Sequence, residues 1–163
     1  MHPAAARFVE SCSMVLTATR GLDIGGRDVN GSCRHMFAGC GWTVIDINPG
    51  PGVDVVADFN TWQTEQTYDL LLCTEVLEHV QGWRTTVVKA AEVLEPEGAL
   101  LLTCATDTRT PHSAIDGGPV HPEEYYGNVD PASLLDICSL VGLTVERFVV
   151  NRAAGDLYLL AVK

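Results

Sequence analysis

Three side chains within five residues are equipped for chemistry. In Cys73-Thr74-Glu75-Val76-Leu77-Glu78-His79-Val80, Glu75, Glu78 and His79 stand at i, i+3 and i+4. On a helix these positions share one face. Two carboxylates and an imidazole form a mixed oxygen and nitrogen ligand set for a divalent cation such as Mg or Mn. The plainer reading is a packed histidine between solvated acids. A second set is spread along the chain, where Asp23, Asp46 and Asp58 each close a short apolar run. Asp23 leads into Gly25-Gly26, and adjacent glycines allow a sharp turn and a close backbone approach to a ligand. A helix N-terminus is expected next, with free N–H groups for an anion. Asp46 lies 23 positions beyond Asp23. A carboxylate at about that distance, ending the next strand, accepts both hydroxyls of a ribose. Asp58 follows Val55-Val56-Ala57, where an acid accepts from an adenine amino group and the next N–H faces the ring. Each acid alone is commonly an ordinary loop acid. Three at successive strand ends point to a nucleoside site.

The elements holding these residues are legible as alternating patterns. Residues 3–19 put Phe8, Cys12, Val15 and Leu16 on one helical face, with Pro3 near the start. Apolar runs over 20–24, 42–47, 53–57, 68–73 and 99–104 read as buried strands. Helical spacing of Trp83, Val87, Ala91 and Leu94 is stopped by Pro96 and Gly98. Asp130-Pro131 opens another helix that Gly142 closes. Residues 143–150 and 156–162 are two last strands joined tightly enough to form a hairpin. The order is strand, helix, strand, short link, strand, then helix and strand in alternation, then the hairpin. It predicts an α/β chain: a doubly wound, mostly parallel seven-stranded sheet, its last strand antiparallel, with helices on both faces. Such a sheet binds ligands beyond the C-terminal ends of its strands.

The chain from Gly21 to Cys104 resembles the class I methyltransferases that use S-adenosylmethionine. The resemblance is carried by Leu-Asp-Ile-Gly, Val-Ile-Asp-Ile, Val-Val-Ala-Asp-Phe and Thr-Glu-Val-Leu-Glu-His-Val, in order, and by the Leu94-Glu95-Pro96-Glu97-Gly98 turn. It implies that Asp23 and Gly25 line the methionine end of the cofactor, with Gly26 a further cofactor-binding residue. Asp46 would hold the ribose, with Ile47 beside it also cofactor-binding, Asp58 the adenine amino group and Phe59 the adenine edge, and Thr74 would lie near the sulfonium. The Glu75/Glu78/His79 arrangement is similar to two metal-dependent groups, the small-RNA 3′-end 2′-O-methyltransferases and the ubiquinone-pathway O-methyltransferases. The first adds a histidine from a later loop, for which His121 and His112 are candidates here. One departure stands out. Where the family's turn has three alternate glycines, this chain keeps Gly25 but has Arg27 and Val29 at the next two positions.

Residues 105–129 lack a period, and a loop of that length is usually functional. It holds His112, His121, Glu123, Glu124, Tyr125 and Tyr126, with Gly117-Gly118 as a hinge candidate. His121 is favoured over His112 as general base, because aromatic neighbours offer an acceptor wall; His79 is the second catalytic candidate. His2 and His35 are read as bland. The organisation expected is a single methyltransferase domain over 1–163, with an N-terminal helix in 1–19 and a substrate lid in 105–129.

Composition narrows the acceptor. The chain has 163 residues, 47% of them apolar, and 10 Lys+Arg against 21 Asp+Glu, a net charge of −11. That acidity opposes a general nucleic-acid binder, which needs a cationic surface. No apolar stretch approaches a bilayer span. Residues 1–20 show no export signal, and six scattered cysteines without ligand spacing read as reduced core residues, so a cytoplasmic location is expected. The first expectation is therefore an enzyme methylating a small-molecule acceptor at oxygen. The alternatives are metal-assisted methylation of a nucleotide or RNA end, which requires Arg84, Lys89, Arg109 and Arg147 to cluster, and a cofactor-binding relative without catalysis.

Overall fold

The computed structural model describes residues 3–29 and 31–163. Seven strands form one sheet: β1 (Arg20–Ile24), β2 (Gly41–Asp46), β3 (Val55–Val56), β4 (Tyr68–Thr74), β5 (Leu94–Ala105), β6 (Thr144–Asn151) and β7 (Asp156–Val162). Their spatial order is β3-β2-β1-β4-β5-β7-β6. The first five pair in parallel, while β7 runs antiparallel to both β5 and β6. The expected sheet, with its antiparallel last strand, is the one observed.

Alternation along the strands splits the core into two layers. Leu71 and Cys73 of β4, Leu100 and Leu102 of β5, and Leu157 and Leu159 of β7 face one side. There they pack on Val87, Ala90 and Ala91 of α2 (Trp83–Val93) and Leu134 and Cys138 of α3 (Pro131–Leu140). Leu70, Leu72, Leu101, Tyr158 and Leu160 face the other side, against Ala5, Phe8, Val9 and Cys12 of α1 (Pro3–Ser13). Both layers are covered, so β4 and β5 read as unbroken apolar runs. The Asp130 carboxylate accepts from Ser133 N at 2.8 Å and caps α3, as expected from Asp-Pro. All six cysteines are free, and all but Cys40 are buried. No helix among the described residues is long and apolar enough to cross a membrane.

Four expectations change. The N-terminal helix stops at Ser13, so Val15 is exposed rather than on the buried face. The helix expected after β1 shrinks to a single 3-10 turn, Arg34–Met36. Between β3 and β4 the chain has turns and no helix; Thr61 N and Trp62 N both donate to Asp58 O. Glu75, Glu78 and His79 do not share a helix. Glu75 has φ 59°, and only Leu77–His79 forms a 3-10 turn. A left-handed residue breaks the 3.6-residue period, so the i, i+3, i+4 geometry is lost and the acids take different partners, Thr103 Oγ1 for Glu75 and Ala105 N for Glu78.

Candidate active site

A cleft of about 1240 Å³ opens beyond the C-terminal ends of the strands. It lies at the β1/β4 junction, where strand order reverses and doubly wound sheets bind ligands. Asp23, Gly25, Gly26, Asp46, Ile47, Asp58, Phe59 and Thr74 all line it. The sheet thus brings together every cofactor-binding residue expected from the sequence. Their settings differ. Asp23 is buried; burial pushes its carboxyl up to about 6, against the pull of Arg34. Asp46 is half-buried, with its oxygens fixed by backbone donors: Asn48 N at 2.8 Å and Arg27 N at 3.3 Å. Asp58 accepts from Asn60 N at 2.9 Å. Phe59 is buried in the core with Lys89 Nζ 5.5 Å from its ring centroid, and it also lines the cleft. Ile47 is exposed at the cleft edge.

The glycine turn is tight. Gly25 has φ +68°, and both Gly25 N and Gly26 N donate to Ile45 O, at 2.8 and 3.2 Å. A Cβ on Gly26 would meet Asp23 Cγ at 2.5 Å and Val44 Cγ1 at 2.7 Å, so no larger residue fits without displacing the buried carboxylate. These two N–H groups serve β2, and no long helix follows to supply others.

A second cluster forms the other wall. His79 and His112 line the cleft, their ring centroids 5.1 Å apart, and the Tyr126 ring lies 5.4 Å from His79 and 5.0 Å from His112. Glu78 is fully buried behind them and accepts from Ala105 N at 3.2 Å. Its Oε2, His79 Nδ1 and Tyr126 Oη are buried without hydrogen-bond partners, an unusual concentration of unsatisfied polar atoms. Burial, then the Glu75 charge, pushes Glu78 up to about 8. Burial, then His112, lowers His79 to about 4, so its imidazole is neutral at ordinary pH. Ligand atoms of Glu78, His79 and His112 lie within 4.8 Å of one another. Of the four expected metal ligands, the structure joins only Glu78 and His79. Glu75 accepts from Thr103 Oγ1 at 2.8 Å instead, and its left-handed backbone is strain held at the cleft wall.

His121 is not part of the cluster. Its ring is exposed, with Nε2 3.3 Å from Asp116 Oδ2, and it does not line the cleft. His112 takes its place because residues 105–129 fold back on themselves around Glu124. That carboxylate accepts from Ser113 Oγ at 3.0 Å, Ala114 N at 2.9 Å and His121 N at 2.9 Å. Thr106 Oγ1 donates to Val129 O and Gly127 N to Glu78 O, closing the loop base. His35 lies in the short turn after β1, and His2 falls outside the described residues.

Residues 4–147 match the methyltransferase-domain family. The chain belongs to that family. The methyltransferase fold also recurs in solved structures. A Burkholderia thailandensis 1,6-didemethyltoxoflavin-N1-methyltransferase, with that compound and S-adenosylhomocysteine bound, superposes at a TM-score of 0.72 and 19% identity, covering 98% of this chain and 78% of that one. The N-methyltransferase NodS of Bradyrhizobium japonicum, in complex with S-adenosylhomocysteine, gives 0.66 at 20% identity, covering 96% and 86%. The CcbJ methyltransferase of Streptomyces caelestis gives 0.72 at 14% identity, covering 99% and 96%. No curated protein sequence matches the chain. Three residues of this methyltransferase's site escaped sequence reasoning: Arg34, Glu124 as organiser of the loop, and Tyr126 as a partner of the histidines. Glu124 was visible only as a member of a long loop, Tyr126 only as an aromatic neighbour of His121, and Arg34 only as a residue of an expected helix.

Proposed function

We propose that this enzyme transfers a methyl group from S-adenosylmethionine to the hydroxyl of a small acceptor. The observation that carries the reading is the cleft itself, where three strand-end acids and the His79 and His112 rings line one cavity. Asp46 receives the ribose hydroxyls, Asp58 the adenine amino group, and Asp23 the methionine ammonium. Thr74 ends β4 between these and the histidines, where the methyl group would lie. The positive sulfonium already activates the methyl, so the protein's work is to align the acceptor, exclude water and take its proton. His112 is the residue we assign to that proton. It lines the cleft, whereas His121 does not. Residues 105–129 act as the lid; α1 contributes nothing to the cleft wall. The 1,6-didemethyltoxoflavin bound in the Burkholderia thailandensis structure supports a small-molecule acceptor. Equilibrium dialysis against methyl-labelled S-adenosylmethionine tests the reading. Retained label supports it, and free equilibration opposes it.

The lid assignment carries its own test. Glu124→Ala removes the acceptor of three loop hydrogen bonds. The expected outcome is faster amide exchange across residues 113–121 and a raised KM for the acceptor, with S-adenosylhomocysteine affinity little changed.

A second reading is favoured by the unpartnered Glu78 Oε2 and His79 Nδ1 beside His112. Carboxylate and imidazole donors fit a divalent cation, and Glu78, His79 and His112 would hold it, in place of the set containing His121. A bound cation would supply Lewis-acid polarisation of an acceptor oxygen. Addition of Mg or Mn should then raise the melting temperature of the native protein and leave that of His112→Ala unmoved. Indifference of the native protein removes this reading. The nucleic-acid version has less support. Arg84 stacks on Trp83, Lys89 lies over Phe59, Arg109 pairs with Asp156 and Arg147 lies over Phe8, four separate partnerships rather than one patch.

A further inference from the structure

The glycine turn has few free N–H groups to offer a ligand. Gly25 N and Gly26 N are committed to Ile45 O, and Arg27 N donates to Asp46. The chain that follows has one 3-10 turn instead of a helix, so no helix terminus stiffens the loop or offsets charge there. Asp23 nevertheless sits at the bottom of the cleft, 5% exposed, with Asp46 and Asp28 adding negative charge nearby. A buried carboxylate in such company tends to take up a proton, and a neutral acid would not hold an ammonium group.

Arg34 is placed to prevent this. Its Nη1 donates to Asp23 Oδ2 at 3.0 Å and also to Gly26 O at 3.0 Å. The side chain is only 16% exposed, so water screens the pair weakly. Arg34 does not itself line the cleft, whereas Asp23 and Gly26 do. Two glycines clear space for this arrangement. A Cβ on Gly26 would meet Asp23 Oδ2 at 2.5 Å, and one on Gly52 would meet Arg34 Nη2 at 2.9 Å. We propose that Arg34 is a positioning residue for the methionine end of the cofactor, clamping the Asp23 carboxylate to the Gly26 carbonyl so that the altered glycine turn presents an ionised acceptor. One guanidinium thus does the work of the missing glycines and the missing helix. It acts through Asp23 and does not touch the transferred methyl.

The inference rests on the cofactor reading above, and the test separates the two. The groups facing Asp23 are Arg34 from the turn, Asp28 from the glycine loop, Asp46 from β2, Cys33 from the turn's start and Cys73 from β4. With Arg34 in place the carboxyl is held at about 6, and it is ionised at neutral pH. Without Arg34 the burial and the two acids act unopposed, and the carboxyl moves up into the working range. The measurement is S-adenosylhomocysteine affinity by calorimetry between about pH 6 and pH 9. The native protein should bind with little change above neutrality. Arg34→Met and Arg34→Gln should lose roughly tenfold near pH 7 and recover toward pH 9, because losing a close opposite charge raises a carboxyl by about 1–3 pH units and a rise of about two leaves roughly a tenth of it ionised at pH 7. Arg34→Lys should lie between them and the native protein. In an Asp23→Asn background, Arg34→Gln should cost little more. Loss that is equal at every pH, or no loss at all, overturns the clamp. Arg34→Gln keeps a donor, so it covers the case in which Arg34→Met does not fold. If the native protein binds no S-adenosylhomocysteine, the cofactor reading fails instead.

Discussion

Asp46→Ala is expected to weaken S-adenosylhomocysteine binding by roughly a hundredfold or more. The estimate follows from two hydrogen bonds to a charged acceptor, each contributing about 1.5–3 kcal/mol. The geometry is set before any ligand arrives. Asn48 N and Arg27 N hold the carboxylate oxygens in place, so the ribose hydroxyls meet acceptors that need no further ordering. Asp46 is half-buried at the end of β2, and its two backbone donors can return to water when the side chain is removed. Folding should therefore survive, and a melting curve close to the native one would show that the loss is one of recognition. Asp46→Asn keeps one acceptor oxygen in the same position and should fall between the two. Calorimetric titration reads both.

His112→Ala is expected to lower kcat by about 10²–10⁴ while S-adenosylhomocysteine affinity stays within about threefold, the range seen when a positioned acid or base is removed. His112 stands on the cleft wall, its ring edge against both His79 and Tyr126, and its Nδ1 lies 3.2 Å from Thr110 O. That contact fits an Nδ1–H donating to the carbonyl, which leaves Nε2 as the lone-pair nitrogen for an acceptor's proton. His121→Ala serves as the comparison. That ring is exposed and paired with Asp116, so its loss should leave kcat nearly unchanged. Equal losses at both positions would move the proton acceptor away from His112. Single-turnover measurements at saturating cofactor distinguish slowed chemistry from slowed product release.

Much of the fold was legible in the chain because its signals were local. Unbroken apolar runs in β4 and β5 announce strands buried on both faces. The short join between β6 and β7 requires an antiparallel pair, and Asp130-Pro131 marks the start of α3 with a cap that the structure contains. The convergence of the three acids on one cleft was legible for the same reason. Asp23, Asp46 and Asp58 each end a strand, and strand ends in one sheet converge on one edge.

The rest of the site was set by backbone choices that residue spacing does not reveal. Glu75 adopts a left-handed conformation, stabilised by Glu75 N donating to Thr103 O at 2.8 Å and by Thr103 Oγ1 on its side chain. That single residue turns Glu78 inward and breaks the helical register on which the three-ligand pattern rested. His121 was favoured for its aromatic neighbours, but Tyr126 points to His79 and His112 instead. The loop path is decided by Glu124 bonding back to Ser113 and His121, contacts inside an aperiodic segment that spacing does not announce. The helix after β1 failed for a related reason. Arg34 bonds back to Gly26 O and Asp23 across this stretch, contacts that residue spacing does not reveal.

The central claim is that the cleft at the ends of β1, β2 and β4 binds S-adenosylmethionine. Calorimetric titration of the unaltered chain with S-adenosylhomocysteine tests it most directly. Saturable binding with one site per chain, lost in Asp46→Ala under the same conditions, is the expected result. Absence of binding by both S-adenosylmethionine and S-adenosylhomocysteine, or binding that Asp46→Ala leaves untouched, would contradict it.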